Sequence, residues 1–416
     1  MLNTLFRSNT PVPEAYRKTF HHLYWDIAWF GILSGSSMAF LSVYAARLGA
    51  STVQVGLLGA MPAVINLMLA IPSGQWLQRR STHQGVFWTA ALHRLGYLLW
   101  IPLPWLFDPG GEVWALITLS LLMGIPGTAL AVGFNALFAE AVPPEWRAHV
   151  AGIRNVMLSI VYVITSLVSG FILENVPFPV GYQIVFGLGF IGAAMSTYHL
   201  YFVRPTQPPA SQAPAKPAES APEPLRAGLR RALRTDVWRG PFGRTLLVLL
   251  GFHLAQYAAV PIFPIYFVRQ LHLTDDAIGI GTALFYLTVL IGSTQLARVS
   301  HRYGHKTVTG VGVALMSIYP ILLTFARDAS LYWVTSFIGG FIWAMVGGAL
   351  ANYLLEKVPG DDRPAHLAWY NIVLNAAILL GSLGGPAIAD QIGLVNMLLL
   401  AGGLRLLAGL LILRLG

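Results

Sequence analysis

Residues 140–155 read EAVPPEWRAHVAGIRN, and residues 356–371 read EKVPGDDRPAHLAWYN. Both stretches contain the pattern Glu-x-x-Pro-x-x-x-Arg-x-x-x-x-x-x-x-Asn, and both join one long apolar segment to the next. The matching positions are Glu140 and Glu356, Pro143 and Pro359, Arg147 and Arg363, and Asn155 and Asn371. A second match pairs Leu48 with Leu271, Gly56 with Gly279 and Arg79 with Arg302. The chain therefore contains one structural unit twice, in the same orientation.

The composition places this repeated unit in a membrane. Of the 416 residues, 56% are hydrophobic and 10% are charged, whereas soluble domains have about 25% charged residues. A helix that spans the hydrocarbon layer needs about 20 mostly apolar residues, and backbone in lipid must form helices or a closed barrel. Twelve segments are long enough and lack the alternation of barrel strands: 23–47, 52–77, 84–107, 113–138, 150–174, 180–203, 244–269, 276–298, 306–326, 330–355, 366–389 and 392–414. We expect an all-α polytopic membrane protein with twelve transmembrane helices.

A polar linker divides the spans into two groups of six. Residues 205–224 (PTQPPASQAPAKPAESAPEP) are too rich in Pro, Ala and Ser to build a packed core. We expect four parts: a cytoplasmic segment 1–22, six-helix bundles 23–203 and 244–416, and a cytoplasmic linker 204–243. Within the linker, Leu225, Leu229, Leu233 and Val237 recur at helical spacing among arginines. This pattern predicts a basic amphipathic helix on anionic lipid headgroups; the alternative is a solvated basic linker.

The net charge of +9 reports topology rather than nucleic-acid binding. If the N-terminus is cytoplasmic, most Lys and Arg residues lie at the cytoplasmic ends of the spans, as the positive-inside rule requires. This interpretation assigns Arg154 and Arg405 to such ends and leaves Arg94 inside a span. It places both termini in the cytoplasm of a cell that carries the protein in its plasma or inner membrane. The first 22 residues do not resemble a cleaved signal peptide.

The loops after spans 2 and 8 carry a family resemblance. Residues 297–306 read ARVSHRYGHK, and the eroded first-half copy at 74–83 reads GQWLQRRSTH. With the two six-helix halves and the central linker, these loops resemble the major facilitator superfamily, whose motif there is of the type Gly-x-x-x-Asp-Arg-x-Gly-Arg-Lys. Gln78 and His301 replace the acidic residue of that motif. The resemblance implies two six-helix bundles related as a parallel repeat, each built from two inverted three-helix repeats, with a central cavity that serves secondary transport.

Two charged residues lie inside predicted spans, where unpaired charges are costly. Arg94 lies well inside span 3, and Asp26 is the only carboxylate well inside a span. We expect the two side chains to pair. The pair either holds helices together or takes part in substrate binding or coupling. Asp26 and His253 are the candidate proton carriers.

Further candidates follow from the resemblance, because spans 1, 4, 7 and 10, helped by 2, 5, 8 and 11, line the cavity in that family. The polar or aromatic residues at mid-depth on these spans are Ser34, Ser37, Asn66, Tyr162, His253, Gln256, Tyr257, Tyr286, Trp343, Asn371 and Asn375. Few of them can be charged, which favours a neutral or amphiphilic small molecule as substrate. Alternatively, the Ser and Asn side chains only bridge helices.

The repeated Glu and Arg residues suggest a gate at the cytoplasmic end. The candidate gate residues are Arg79, Glu140, Arg147, Arg302, Glu356 and Arg363. Carboxylates and guanidiniums can form forked pairs, which here would exist in one gating state only. The alternative is a set of surface ion pairs worth at most about 1 kcal/mol.

Other classes of protein lack their signatures in this chain. There is no Gly-x-x-x-x-Gly-Lys-Ser/Thr phosphate loop and no His-Glu-x-x-His zinc motif, and the chain contains no Cys. We expect no enzymatic activity, no cofactor, no metal site and a monomer. The sequence predicts a secondary active transporter that moves a small molecule across the cytoplasmic membrane by alternating access, with ion or proton coupling. The alternative is a non-transporting membrane sensor or a lipid-handling protein on the same fold.

Overall fold

The computed structural model describes residues 12–205, 234–359 and 362–416. Most of the predicted linker and of its basic amphipathic helix lies outside these described residues. The described chain is helical, and its long helices are α1 (Glu14–Leu33, continued by Ser34–Met38 and Ala39–Arg47), α2 (Thr52–Gln78), α3 (Thr82–Trp100), α4 (Pro109–Ala141), α5 (Pro144–Asn175), α6 (Val180–Phe202), α7 (Pro241–Ala259, continued by Ile262–Ile265 and Tyr266–Gln270), α8 (Asp275–Tyr303), α9 (His305–Leu315, continued by Ile318–Leu323), α10 (Ala329–Lys357), α11 (Arg363–Ile392) and α12 (Leu394–Leu415).

Eleven helices of the described chain are long and apolar enough to cross a membrane. The helix outside this group is α3, which carries His83, His93 and Arg94. Local signals explain several helix starts: Ser51 forms a capping box with Gln54 at the start of α2. Proline occupies the first helical position of α4, α5 and α7, where its missing N–H costs no hydrogen bond.

The first helix of each half is interrupted. In α1 the residues Ser34–Met38 form a π-helical stretch, and in α7 the regular helix stops at Ala259 before the π-helical stretch Tyr266–Gln270. Such local widening of a helix is often found at functional sites. In both halves the interruption lies on a helix that the family resemblance assigns to the central cavity.

The helices pack in a pattern that repeats. In the first half α1 packs on α5 and α6, α2 on α4, and α3 on α4 and α6; the second half repeats each of these contacts six helices later. The halves meet through α5 with α8 and through α2 with α11. We call the end of the molecule where α1 begins and α12 ends the terminal end, and the end that holds Arg47 and Asp275 the distal end.

Two arginines do not lie where the charge pattern places them. The pattern assigns Arg154 and Arg405 to cytoplasmic span ends, but both lie within helices, α5 and α12, with exposures of 8% and 2%. That assignment is wrong, because a count of charges near span boundaries cannot tell which residues face the inside of a bundle. Among the described residues, the buried charges of the helix interiors thus include Arg94, Arg154 and Arg405 in addition to Asp26.

Candidate functional site

A cavity of about 920 Å³, which we call the central cavity, lies between α1, α5 and α8 where the two halves meet. Its polar and aromatic lining includes Ser34, His149, Asn155, Ser159, Tyr162, Tyr286, Ser293 and Thr294. His149 comes from the beginning of α5 and Thr294 from the last part of α8, so the cavity extends towards the terminal end. Asn155, Ser293 and Thr294 are exposed. A solute can therefore enter from the terminal end.

Polar side chains from opposite halves meet at a second, smaller cavity of about 350 Å³, which Asn66 and Thr128 line and which shares Met38 with the first. The Asn66 amide nitrogen donates to Asn375 Oδ1 at 3.3 Å, which joins α2 to α11. Thr128 Oγ1 donates to Asn66 Oδ1 at 2.6 Å, and Asn375 Nδ2 donates to Asn371 Oδ1 at 2.9 Å. These four side chains form a chain of polar groups across the two halves. Such groups can exchange hydrogen bonds with a bound solute.

A second contact between the two halves is aromatic. The rings of Tyr162 on α5 and Tyr286 on α8 lie with their centroids 3.9 Å apart. Tyr162 is 9% exposed, and both rings line the cavity. The structure thus brings together four of the predicted cavity residues in two inter-half contacts, Asn66 with Asn375 and Tyr162 with Tyr286. Asn371 joins them through its hydrogen bond with Asn375 in the same helix.

The distal end is closed by two arginines that reach across the halves. Arg47 at the end of α1 contacts Asp275 Oδ1 through Nη2 at 3.0 Å, and its Nη2 also donates to the carbonyl oxygen of Leu273 at 2.5 Å. Arg269, at the end of α7, donates to the carbonyl oxygen of Ala50. The two arginines thus make reciprocal contacts. We call the contacts of Arg47 and Arg269 the distal closure.

Close backbone packing of the halves supports the distal closure. A Cβ added to Gly56 on α2 would lie 2.1 Å from the carbonyl oxygen of Ser382 on α11. A Cβ on Gly279 on α8 would lie 2.8 Å from the carbonyl oxygen of Ser166 on α5. Gly56 and Gly279 are matching positions of the sequence repeat. Only glycine allows the backbones to approach so closely, so the repeat preserves the same inter-half contact twice.

A buried ionic cluster lies within the first half. Asp26 Oδ2 accepts from Arg154 Nη1 at 3.0 Å, and its Oδ1 lies 3.7 Å from Arg94 Nη2. Ser196 Oγ donates to Asp26 Oδ1 at 2.5 Å, and Arg154 Nη1 also donates to the carbonyl oxygen of Leu23 at 2.5 Å. The structure brings Asp26 and Arg94 together, as we expected from the sequence. It adds Arg154, so one carboxylate faces two guanidiniums.

Further contacts hold the two guanidiniums of this cluster in place. Arg94 Nη1 donates to Thr197 Oγ1 at 3.1 Å. The guanidinium of Arg154 lies 4.9 Å from the ring centroid of Phe134, within range of a cation–π interaction. His253 has a different environment, since its Nε2 lies 3.2 Å from the Tyr370 hydroxyl.

The first-half members of the predicted gate make contacts at the terminal end. Glu140 accepts a hydrogen bond from Thr82 Oγ1 at 3.0 Å. Arg147 donates to the carbonyl oxygens of Ala139 at 2.7 Å and of Val142 at 3.0 Å. Arg147 therefore caps the C-terminal end of α4, where unpaired carbonyls favour cations.

In the second half, Glu356 Oε1 lies 3.9 Å from His305 Nε2, at the start of α9. Within the described ranges, no ion pair joins Arg79, Arg302 or Arg363 to a carboxylate. These three arginines therefore do not form the forked pairs expected from the repeat. The conformation described here is one whose cavity is accessible from the terminal end.

A second polar cluster ties the end of the linker to α11. Arg234 Nη2 contacts Asp236 Oδ2 at 2.9 Å and Asp362 Oδ2 at 2.6 Å. The hydrogen bond from Arg234 lowers the pKa of the Asp236 carboxyl, and its bonds to both carboxylates raise the pKa of Arg234. The side chains of Arg234 and Asp236 are 43% and 62% exposed, so the contribution of their contact to stability is small.

The remaining predicted cavity residues are spread more widely. Ser34 lines the central cavity, whereas Ser37 is fully buried with no hydrogen-bond partner for its hydroxyl among the described residues. Gln256 and Trp343 line a separate cavity inside the second half. Tyr257 lies with its ring 6.3 Å from that of His253.

The sequence analysis did not include several residues of the site among its candidates. Asn155 is a position of the repeat, which could have marked it, and it lines the cavity. Thr128 and Tyr370 carry no local pattern that separates them from other polar residues on apolar helices; only their partners, Asn66 and His253, mark them.

Comparison with known proteins identifies the family. A sequence model of the Major Facilitator Superfamily matches residues 27–266 and 245–415. The chain belongs to this family, which confirms the resemblance seen in the loop motifs, and it is a multi-pass membrane transporter protein.

The similar proteins share less than a quarter of their residues with this chain. A "Putative sugar efflux transporter" of Deinococcus radiodurans is 23% identical over 383 residues, which cover 91% of this chain and 93% of that protein. The "Quinolone resistance protein NorA" of Staphylococcus aureus is 24% identical over 140 residues, about a third of each chain. Among solved structures, the nucleoside transporter NupG has a TM-score of 0.68 at 12% identity and covers 97% of this chain and 99% of its own. A D-xylose-proton symporter has a TM-score of 0.69 at 16% identity, with coverages of 96% and 97%. These structures support the fold alone.

Proposed function

We propose that this protein is a secondary active transporter that moves a small molecule by alternating access. In this proposal twelve helices, with α3 as the twelfth span, form two six-helix bundles that rock about the central cavity. The observation that carries the proposal is the asymmetry between the two ends. The polar cavity is accessible from the terminal end, while Arg47, Arg269 and the glycine contacts close the distal end.

The orientation of the protein in the membrane follows from the distribution of its basic residues. Because the terminal end carries most of the basic residues, we place it in the cytoplasm, with both termini and the linker. The conformation described above is then the inward-facing state. The basic linker, which lies largely outside the described residues, would contact anionic headgroups, and the transporter would act as a monomer in the cell membrane.

The substrate that fits the central cavity is a neutral, hydroxyl-bearing or amphiphilic small molecule. Asn155, Ser293 and Thr294 offer hydrogen bonds, and Tyr162 and Tyr286 offer aromatic faces. Small-molecule sites typically combine such apolar or aromatic walls with a few polar groups that fix the orientation of the ligand. The resemblance over nearly the whole chain to a protein described as a putative sugar efflux transporter agrees with this substrate class.

Coupling to protons is the proposed energy source. His253 is the candidate carrier that we retain, because it forms no ion pair with the described residues and its Nε2 contacts one hydroxyl, that of Tyr370. Asp26 contacts one guanidinium from α3 and one from α5, so we assign it to positioning α1 against these two helices.

Transport by purified protein in vesicles tests the proposal. A set of labelled monosaccharides, disaccharides and amphiphilic drugs is offered to sealed vesicles with and without an imposed proton gradient. We expect saturable movement of at least one compound, accelerated by the gradient and reduced by His253→Gln. A sensor or lipid-handling protein would show binding without net movement of any compound, and this result would overturn the proposal.

The gate at the terminal end has its own test. We propose that Arg302 and Glu356 join an ion-pair network that forms only when this end closes. Losing about 1–2 kcal/mol of such contacts would shift the ratio of inward-facing to outward-facing molecules by roughly five- to thirtyfold. Glu356→Gln should therefore slow turnover and increase labelling of a cysteine placed at Asn155, which lines the cavity. Unchanged labelling would show that these residues act only in folding.

A further inference from the structure

Arg405 is among the most deeply buried side chains of the described chain. It lies within α12 and is 2% exposed. Its Nη1 donates to the carbonyl oxygen of Met316 at 3.2 Å, and its Nη2 donates to the carbonyl oxygen of Gln256 at 3.3 Å. Its Nε is buried without a partner among the described residues. A guanidinium has five N–H donors, so most of its hydrogen-bonding capacity is unused.

No carboxylate forms an ion pair with Arg405 within the part of the chain that the structure describes. The first half shows the contrast, because Asp26 compensates Arg94 and Arg154 there. A buried charge without a counter-charge costs several kcal/mol. The two carbonyl oxygens supply partial negative charge only. A bound anion would remove this cost.

A cavity of about 370 Å³ lies beside the guanidinium and is lined by helices of the second half. Its walls are largely aromatic, and its polar lining consists of Gln256, Thr282, Tyr286, Tyr319, Tyr332, Ser336 and Arg405. Gln256 Oε1 is buried, and none of the described residues forms a hydrogen bond with it. The cavity therefore contains an unsatisfied donor on Arg405 and an unsatisfied acceptor on Gln256.

We propose that this cavity binds a compact monocarboxylate with an apolar, preferably aromatic, body. A carboxylate can accept two parallel hydrogen bonds from a guanidinium, and one negative charge balances the single cation. The aromatic walls fit an apolar ring, and a hydroxyl or amino group on the ligand would satisfy Gln256 Oε1. The volume lies near the lower limit for small-molecule sites, which excludes large ligands.

The site is separate from the central cavity but adjoins it. Tyr286 lines both cavities. A ligand beside Arg405 would therefore lie behind the ring that packs on Tyr162. Its binding can be measured without transport, so the inference stands or fails independently of the proposed function.

The experiment compares benzoate with benzamide, which has nearly the same shape and no charge. Purified full-length protein in detergent is titrated with each compound at matched ionic strength, with the melting temperature and calorimetry as readouts. We expect benzoate to bind and to raise the melting temperature, and benzamide to do neither. Arg405→Met should weaken benzoate binding by roughly 30-fold or more, while the ligand-free variant melts no lower than the wild type because an unpaired buried charge is gone.

Arg405→Lys is the second variant, in case Arg405→Met does not fold. It keeps the charge but loses the planar fork, so we expect weaker benzoate binding with the preference over benzamide retained. Three results would each overturn the proposal: equal effects of benzoate and benzamide, no binding of either compound to the wild type, or unchanged benzoate binding by Arg405→Met.

Discussion

The distal closure should be a switch between conformations, and Arg47→Gln is the change that tests it. Arg47 makes a charge-assisted contact with Asp275 at 3.0 Å and a bond to the Leu273 carbonyl oxygen, both across the halves. A hydrogen bond between charged groups contributes about 1.5–3 kcal/mol. The side chains of Arg47 and Asp275 are 26% and 11% exposed, and solvent screening lowers the figure to about 1–2 kcal/mol.

This free energy is present only while the distal end is closed. Its loss should raise the ratio of distal-open to distal-closed molecules by roughly five- to thirtyfold. The chain contains no native Cys, so a single reporter gives a clean signal. Ser382→Cys is suitable, because Ser382 is 2% exposed and faces α2 at the distal interface. Labelling by a membrane-impermeant thiol reagent from the distal side measures the distal-open population.

Arg327→Gln is the matched control, since Arg327 is an exposed arginine between α9 and α10 at the same end. It removes the same charge and should leave labelling unchanged. Asp275→Asn should act like Arg47→Gln, and the double variant should add little, because both remove one interaction. Equal labelling in Arg47→Gln and in the control, or additive effects in the double variant, would refute the reasoning.

Three further predictions concern packing, buried charge and topology. Gly56→Ala places a methyl group against a backbone carbonyl and should destabilise the distal-closed state by about 1–3 kcal/mol. A Cβ on Gly59 would have its nearest neighbour 3.6 Å away, so Gly59→Ala should leave thiol labelling from the distal side at the wild-type level. Asp26→Asn leaves two guanidiniums uncompensated and should lower the free energy of unfolding by about 3–5 kcal/mol, with part of the loss recovered when Arg154→Met is added; a further decrease in thermal stability would contradict the pairing. Tags at both termini and within 205–224 should all report the cytoplasm, and a linker on the other side would contradict an even number of spans in each half.

Much of the fold was accessible from the sequence, because membrane folding rests on signals that are local in the chain. Each predicted span overlaps a long helix, since lipid forces every apolar run to satisfy its own backbone hydrogen bonds. The repeat is also visible in the structure: Gly56 and Gly279 match in sequence and make equivalent inter-half contacts. Family membership followed from the same patterns.

The site could be predicted only in part. Asn66 and Asn375, and Tyr162 and Tyr286, were expected near one cavity from their span and depth, and the structure joins each pair. The charge pattern placed Arg405 at the end of a span, because counting charges along the sequence cannot distinguish residues inside a helix bundle from residues at its ends.

The sequence alone determined that this chain crosses the membrane many times and contains one unit twice, because hydropathy and repetition are properties of neighbouring residues along the chain. Only the tertiary structure decided which side chains meet. Arg154 joins Asp26 from 128 positions away in the chain, and Arg47 meets Asp275 in the opposite half. Such contacts depend on how helices rotate and approach one another. A small change in rotation exchanges the partners of a buried charge while leaving the hydropathy pattern untouched.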